Sequence, residues 1–195
     1  MKKLSSICLV AAILTMGCAV NAKNGNNSQS YYWYDGDKQL EVHLDETLIA
    51  DFNPQSDLAA KAAKNTNLSP SKKISGAQLW KVTSGSSNSA MYAVKSQDQT
   101  GAYSPVFRES QTTGKMRALP GDVIVQFAPD WDESRVSQWV SDQGQSIKSK
   151  AEFGTNFYIL ATPAGLASLE VANSLYETGE VLLASPNWWT ERYPK

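Results

Sequence analysis

The sequence predicts an α+β protein of two ferredoxin-like lobes, each with the order βαββαβ, an antiparallel sheet and its helices on one face. Two observations predict this class. Between residues 122 and 185 the hydrophobic pattern alternates between the periods of strands and helices in this order. An earlier segment repeats the pattern less clearly. The first lobe is therefore expected to be degenerate, and a β-hairpin is expected to precede it.

The second half of the chain has the clearer elements. Val136, Trp139 and Val140 stand at i, i+3 and i+4, which is typical of a buried helix face. Gly144 follows where a left-handed C-terminal cap is needed, and Gly154 supplies a turn between two strands. With both helices on one face of the sheet, we expect the other face to be bare. The predicted elements are strands 122–127, 145–152, 156–162 and 180–185 and helices 131–143 and 166–178.

The first half repeats two landmarks of the second. Residues 49–54 and 124–129 each end an apolar strand at Phe-x-Pro, and a Ser-Pro pair stands two residues before Phe107 and again before Trp188. The aromatic run 31–34, followed by a turn at Asp-Gly-Asp, adds a hairpin in front. The predicted elements are hairpin strands 31–34 and 39–44, strands 48–52, 78–82 and 102–107, a short helix 57–64 and a helix near 90–96, with a long polar stretch at 65–75.

The N-terminus has the pattern of a secretory signal. Two lysines precede the apolar residues 7–14, and small residues then lead to Ala22, which fits the rule of ordinary signal peptidase. We therefore predict a signal peptide at 1–22 and a flexible tether at 23–30. The mature protein is expected in the periplasm or outside the cell.

A lipoprotein box is the alternative reading of the same segment. Gly17 and Cys18 form its core pair, so lipidation of Cys18 would give an outer-membrane lipoprotein instead. Cleavage after Ala22 removes both cysteines, and the mature chain would then hold together without a disulfide. It also leaves 16 basic residues against 19 acidic ones, a balance that does not favour nucleic acid as a partner. No later apolar stretch is long enough to predict a transmembrane anchor.

These elements divide the chain into four parts after the tether. A degenerate lobe is expected at 31–108, a polar linker at 109–119, the clearer lobe at 120–188 and a C-terminal tail at 189–195.

The residue types that carry catalysis or bind metals are sparse. His43 is the single histidine, so no nucleophile, base and orienting acid can be assembled around it. Asp35 and Asp37 flank a glycine, but the other ligands of a calcium loop are absent, and a hairpin turn explains them. Acidic residues at 130–133 suit the first turn of a helix. The acidic residues interpreted as part of this helix start are Asp130, Asp132 and Glu133. We predict a protein that is not an enzyme, with no metal and no cofactor.

Three segments together resemble a known family. Residues 121–129, the aromatic strand 156–161 and the ending 181–187 resemble the N-terminal propeptide of subtilisin-like serine proteases. The likeness covers about residues 121–188, with a degenerate copy at 31–107. The catalytic signatures of such proteases, an Asp motif, a His-Gly motif and a Gly-Thr-Ser motif, do not occur in the chain.

The resemblance implies an inhibitor or folding chaperone of a subtilisin-like serine protease, supplied as a separate chain. It further implies that the bare sheet face lies on the protease and that the residues after the last strand enter its substrate cleft. An extended tail would bind there as an added β-strand. The implied protease-binding residues are Asn187, Trp188, Trp189, Arg192, Tyr193, Pro194 and Lys195.

Two alternatives remain at this stage. The aromatic hairpin could make the protein an envelope adhesion or scaffold module, or the chain could be the remnant of a protease gene without its catalytic domain. Trp188 and Trp189 also allow two interpretations, since they could hold the tail against the second lobe or serve as anchors for a partner.

Overall fold

The computed structural model describes residues 29–53, 67–99, 101–111 and 113–192. Within these ranges the chain forms three helices and two antiparallel sheets, which confirms the α+β class. The predicted signal peptide, Cys18 and the predicted helix 57–64 lie outside the described residues, as do Tyr193, Pro194 and Lys195.

In chain order the elements are β1 (Ser30–Asp35), β2 (Lys38–Asp51), β3 (Leu68–Ile74), β4 (Ala77–Val82), α1 (Ser87–Gln97), β5 (Tyr103–Arg108), β6 (Met116–Ala118), β7 (Val123–Gln126), α2 (Glu133–Asp142), β8 (Ile147–Lys150), β9 (Phe157–Leu160), α3 (Leu166–Glu177), β10 (Leu183–Pro186) and β11 (Trp189–Thr190). Strands β1 to β6 belong to the first sheet, β7 to β10 belong to the second, and β11 returns to the first.

The first sheet has the strand order β11-β6-β5-β2-β4-β3, and β1 pairs with the first half of β2 outside this path. The predicted hairpin of β1 and β2 is confirmed, with Gly36 in its turn at a φ of 61°. The predicted strands 39–44 and 48–52 are a single strand, β2, whose pairing with β5 is irregular between Leu44 and Ile49. A bulge of this kind bends a strand without ending it.

The polar stretch 65–75, for which the sequence predicts no strand, forms β3 from Leu68 onward. Its hairpin with β4 turns at Ser75 and Gly76, both with positive φ, as the favoured two-residue hairpin turn requires. β3 lies at the edge of the sheet, where polar side chains and Pro70 are tolerated. An edge strand buries few side chains, so it lacks the alternation that sequence analysis depends on.

Two short strands lie in segments predicted to be connections. Residues 116–118 of the predicted linker form β6, and residues 189–190 of the predicted tail form β11, which pairs with β6. Met116, Ala118 and Trp189 are all buried. The end of the second half therefore belongs to the first sheet.

The second sheet contains the strands predicted from periodicity, in the order β10-β7-β9-β8 and antiparallel throughout. Helices α2 and α3 contribute Val136, Trp139, Val140, Ala172 and Leu175 to one core with the facing strand residues. The predicted helix face of Val136, Trp139 and Val140 is therefore confirmed. Gly144 has a φ of 68° just beyond α2, as its predicted capping role requires.

A shared core joins the two halves. Trp33, Val42, Leu44 and Phe107 from the first sheet pack with Leu119 and with Leu169 of α3. Asn173 of α3 also donates its side-chain amide to the Tyr32 carbonyl at 2.9 Å. The halves consequently bury apolar side chains against each other as well as within themselves.

Candidate binding surface

One face of the second sheet is open. Successive side chains of a strand point to opposite faces, and the core of the second half contains Val123, Val125, Tyr158, Leu160 and Ala184. The residues between them therefore lie on the opposite face, and each of these is only half-buried. This open face consists of Ile124, Gln126, Phe157, Ile159, Leu183 and Ser185.

The strand register places the open-face residues in rows. Ile124 is opposite both Ile159 and Ser185, and Gln126 is opposite both Phe157 and Leu183. Directly paired residues on neighbouring strands have Cβ atoms about 5 Å apart, so the side chains of each row are in contact. On β7, β9 and β10 the rows form an apolar surface with two polar positions and no titratable group, and Ser149 of β8 extends the row of Ile159.

The border of the open face has one exposed aromatic and one ion pair. Phe153 is 55% exposed, and its ring centroid lies 5.4 Å from that of Phe157. Lys148 Nζ donates to Asp122 Oδ2 at 2.6 Å. A surface with an apolar centre and a polar border is suited to binding a protein, because the border stays hydrated while the centre is covered.

Trp188, a predicted protease-binding residue, packs inside the molecule. Its ring lies 5.7 Å from Trp33 and 5.8 Å from Phe107, both in edge-to-face geometry. The backbone N–H of the preceding Asn187 donates to the Asp122 carbonyl at 3.1 Å. Asn187 and Trp188 therefore connect the second sheet to the first and do not form a free strand.

Trp189 is also packed internally. It is buried against the first sheet, and its indole Nε1 donates to the Ser75 carbonyl at 2.9 Å. Arg192 is exposed, and its backbone N–H donates to Ser75 Oγ at 3.3 Å. The sequence predicted the last strand at 180–185, and the structure adds a further short strand, β11, after it. Of the two interpretations of the tryptophans, the internal packing is observed, and it is against the first sheet.

His43 is half-buried in β2, opposite Ser30 and Arg108, and its Nδ1 has no hydrogen-bond partner. The nearby Asp45 pairs instead with Arg108, whose Nε lies 2.7 Å from Asp45 Oδ2. No cluster of three or more histidine, cysteine or acidic residues that could hold a metal ion occurs in the described ranges.

The acidic residues before and within α2 have structural contacts. Asp132 caps the helix by accepting from the Arg135 N–H at 2.8 Å, as the predicted helix start requires. Glu133 accepts a hydrogen bond of 2.7 Å from Lys150, which lowers the pKa of Glu133 below its usual range. Asp130 is exposed in the turn before them.

The aromatic hairpin packs against α3. The hydroxyl groups of Tyr32 and Tyr34 donate to Glu177 Oε1 at 3.0 and 3.1 Å, and the Tyr34 ring stacks on Tyr176 at 4.3 Å. Trp33 is buried in the shared core. Most of the hairpin's aromatic surface is therefore in contact with the rest of the molecule.

No family model, curated protein or solved structure matches this chain. Across the ranges that the structure describes, no helix is both long enough and apolar enough to cross a membrane.

The sequence indicated part of this surface. The predicted placement of both helices on one side of the sheet left its other face bare, which is where Ile124 and Gln126 lie. The sequence did not indicate that residues 188–192 pack on another sheet. No local signal could have done so, since the partner strand β6 is some seventy residues earlier.

Proposed function

We propose that this protein is an exported, non-enzymatic binding module of the subtilase propeptide type, which inhibits a subtilisin-like serine protease or assists its folding. The open face of the second sheet is the observation that carries the proposal. A protein surface with complementary apolar side chains would bury this apolar sheet face further.

The topology of the second half supports the same interpretation. Its element order βαββαβ, its strand order β10-β7-β9-β8 and the packing of both helices on one side support a ferredoxin-like unit. In the proposal the ferredoxin-like unit presents its open face to the protease.

The role of the tail is narrower in the proposal than the sequence alone implied. Trp188 and Trp189 pack internally, so only the residues after Arg192 would extend into a protease cleft. These are Tyr193, Pro194 and Lys195, in an extended conformation favoured by the proline. Most of the binding energy would then come from the open face.

Export is part of the same proposal. A signal peptide at 1–22, or lipidation at Cys18, would deliver the domain to the compartment in which secreted and cell-envelope proteases fold. The adhesion alternative has less support, because Tyr32, Trp33 and Tyr34 contact α3 and the shared core.

An inhibition assay tests the proposal. The chain starting at Lys23 is added to a panel of secreted and cell-envelope subtilisin-like proteases that hydrolyse a fluorogenic peptide. We expect inhibition of at least one protease. We also expect Ile159→Asp and Phe153→Asp to raise its inhibition constant at least tenfold, about 1.4 kcal/mol of binding free energy, because a charge would be buried in the contact.

The matched control is Tyr92→Asp, because Tyr92 is 82% exposed on α1, away from the open face. Its inhibition constant should equal that of the unmodified chain, and circular dichroism should show all variants folded. A chaperone role would appear as faster recovery of activity when denatured protease refolds with the chain present. Absence of both inhibition and refolding assistance across the panel would reject the proposal.

A further inference from the structure

The C-terminal strand has the alternating burial of a bound peptide. Trp189 and Glu191 are buried, whereas Thr190 is half-buried and Arg192 is exposed. This period of two arises when an extended chain adds to the edge of a sheet and alternate side chains enter pockets. β11 is such an edge addition, since it pairs with β6 and ends the strand order of the first sheet.

The first pocket holds Trp189. The indole packs with the buried side chains of Met116 and Ala118 and meets the Phe52 ring edge-on at 6.1 Å. Its N–H donates to the Ser75 carbonyl at 2.9 Å, so the one polar atom of the side chain is also satisfied. A pocket with these properties favours a tryptophan over an aliphatic residue.

The second pocket holds Glu191, two residues further along. Its carboxylate Oε1 accepts from Lys72 Nζ at 2.8 Å, and the Glu191 side chain is only 4% exposed. The Glu191 backbone N–H donates to the Met116 carbonyl at 3.0 Å. The charge of Lys72 makes this pocket favour an acidic residue, because a neutral side chain would lose the charge-assisted hydrogen bond.

The β3–β4 turn closes the far end of the site. Ser75 Oγ donates to the Arg192 carbonyl and accepts from the Arg192 backbone N–H, both at 3.3 Å. These contacts are made to backbone atoms, so they would hold any residue at that position. The β11 strand itself pairs only two residues, Trp189 with Ala118 and Thr190 with Arg117. Because β11 ends the strand order, it can leave the sheet edge without breaking the pairing of any other two strands, at the cost of emptying the two pockets.

We propose that the edge of β6 and the β3–β4 turn form a peptide-binding site, the C-strand site, which recognises an aromatic residue followed two positions later by an acidic one. In a single copy its own C-terminal strand occupies the site. The same strand of a second copy can occupy it in trans. This inference does not depend on a protease partner, and its test contains none.

Peptide binding provides the first test. A fluorescent peptide of residues 187–195 is added to the chain starting at Lys23 and carrying Trp189→Ala, whose own strand is weakened. We expect it to bind at least tenfold more tightly to this variant than to the unmodified chain. Changing the peptide at Trp189→Ala or Glu191→Gln should reduce binding at least tenfold. The control peptide with Thr190→Ala should bind like the original, because that side chain is not in a pocket.

Disulfide trapping provides a second test that leaves Trp189 in place. Ser75→Cys and Arg192→Cys are introduced into separate chains starting at Lys23, which contain no other cysteine. After mixing and oxidation we expect more disulfide-linked heterodimer than from a control pair of Ser75→Cys with Ser174→Cys, where Ser174 is exposed on α3. Equal yields from both pairs would overturn occupancy in trans. Equal binding of the original peptide and of the peptides with Trp189→Ala or Glu191→Gln would overturn the proposed recognition.

Discussion

At the residue scale, Asp51 is the buried group with the least favourable surroundings. It lies at the end of β2 with no solvent exposure. Its Oδ1 accepts the Asn53 N–H at 2.8 Å. Burial raises the pKa of Asp51, and the nearby Asp98 carboxylate adds to the rise, while hydrogen bonds from Asn53 and Trp80 oppose it.

This raised pKa predicts a pH-dependent stability. Because the folded-state pKa is above the unfolded value, the protonated carboxyl stabilises the fold below about pH 4. That contribution is lost as the pH rises through the folded-state pKa. We expect Asp51→Asn, which cannot ionise, to gain stability relative to the unmodified chain between pH 4 and pH 8. Urea unfolding of both chains across this range measures the difference. A variant that loses stability relative to the unmodified chain as the pH rises would contradict the assignment.

At the scale of single elements, the start of α2 depends on one side chain. Asp132 accepts from the Arg135 backbone N–H and satisfies one of the free donors in the first turn. The neighbouring Asp130 is exposed and two residues away from the cap position.

We expect Asp132→Ala to lower the free energy of unfolding by about 1 kcal/mol, the usual effect of removing an N-cap side chain. Asp130→Ala, the matched control, should change it by less than about 0.5 kcal/mol. Chemical denaturation of the three chains provides the measurement. Equal losses in both variants would mean that general charge removal, and not capping, explains the effect.

The helices and strands also differ in how readily they can be predicted from the sequence. Helix α2 and strand β7 are evident from sequence because both bury one face, and burial on one face produces a periodic pattern. β3 has mostly exposed side chains, and β6 and β11 contain three and two residues. Elements that are polar or this short leave no periodicity, so sequence analysis assigned them to a polar stretch, a linker and a tail.

At the scale of the whole molecule, the shared core couples the two halves. Leu169 of α3 packs with Trp33, Val42, Leu44 and Phe107 of the first sheet. Leu175, six residues further along the same helix, packs in the core of the second half. Substitutions of these two leucines therefore distinguish the coupling between the halves from the stability of the second half alone.

We expect Leu169→Ala and Leu175→Ala each to lower the free energy of unfolding by about 2–5 kcal/mol, as for other buried leucines. Under native conditions, hydrogen exchange in β2 and β5 should accelerate in Leu169→Ala but not in Leu175→Ala. First-sheet exchange that stays unchanged in Leu169→Ala would show that the halves are independent.

Part of the candidate binding surface was also predictable from the sequence, and part was not. The predicted placement of both helices on one side of the second sheet left its other face bare, and Ile124 and Gln126 lie there. The destination of residues 187–192 was not predictable, because Trp188 and Trp189 suit an interior and an interface equally well. Their internal packing depends on Trp33, Phe107 and Ser75, which come from distant parts of the chain.

By itself, the sequence determined the α+β class, the hairpin of β1 and β2, and the six elements of the second half. Each of these follows from residues within about fifteen positions of one another, through periodic burial, turn glycines or a capping side chain. Only the tertiary structure decided that β11 joins the first sheet beside β6 and that Glu191 meets Lys72. These contacts depend on backbone hydrogen bonds and pockets assembled from distant segments, and neither leaves a pattern in the local sequence.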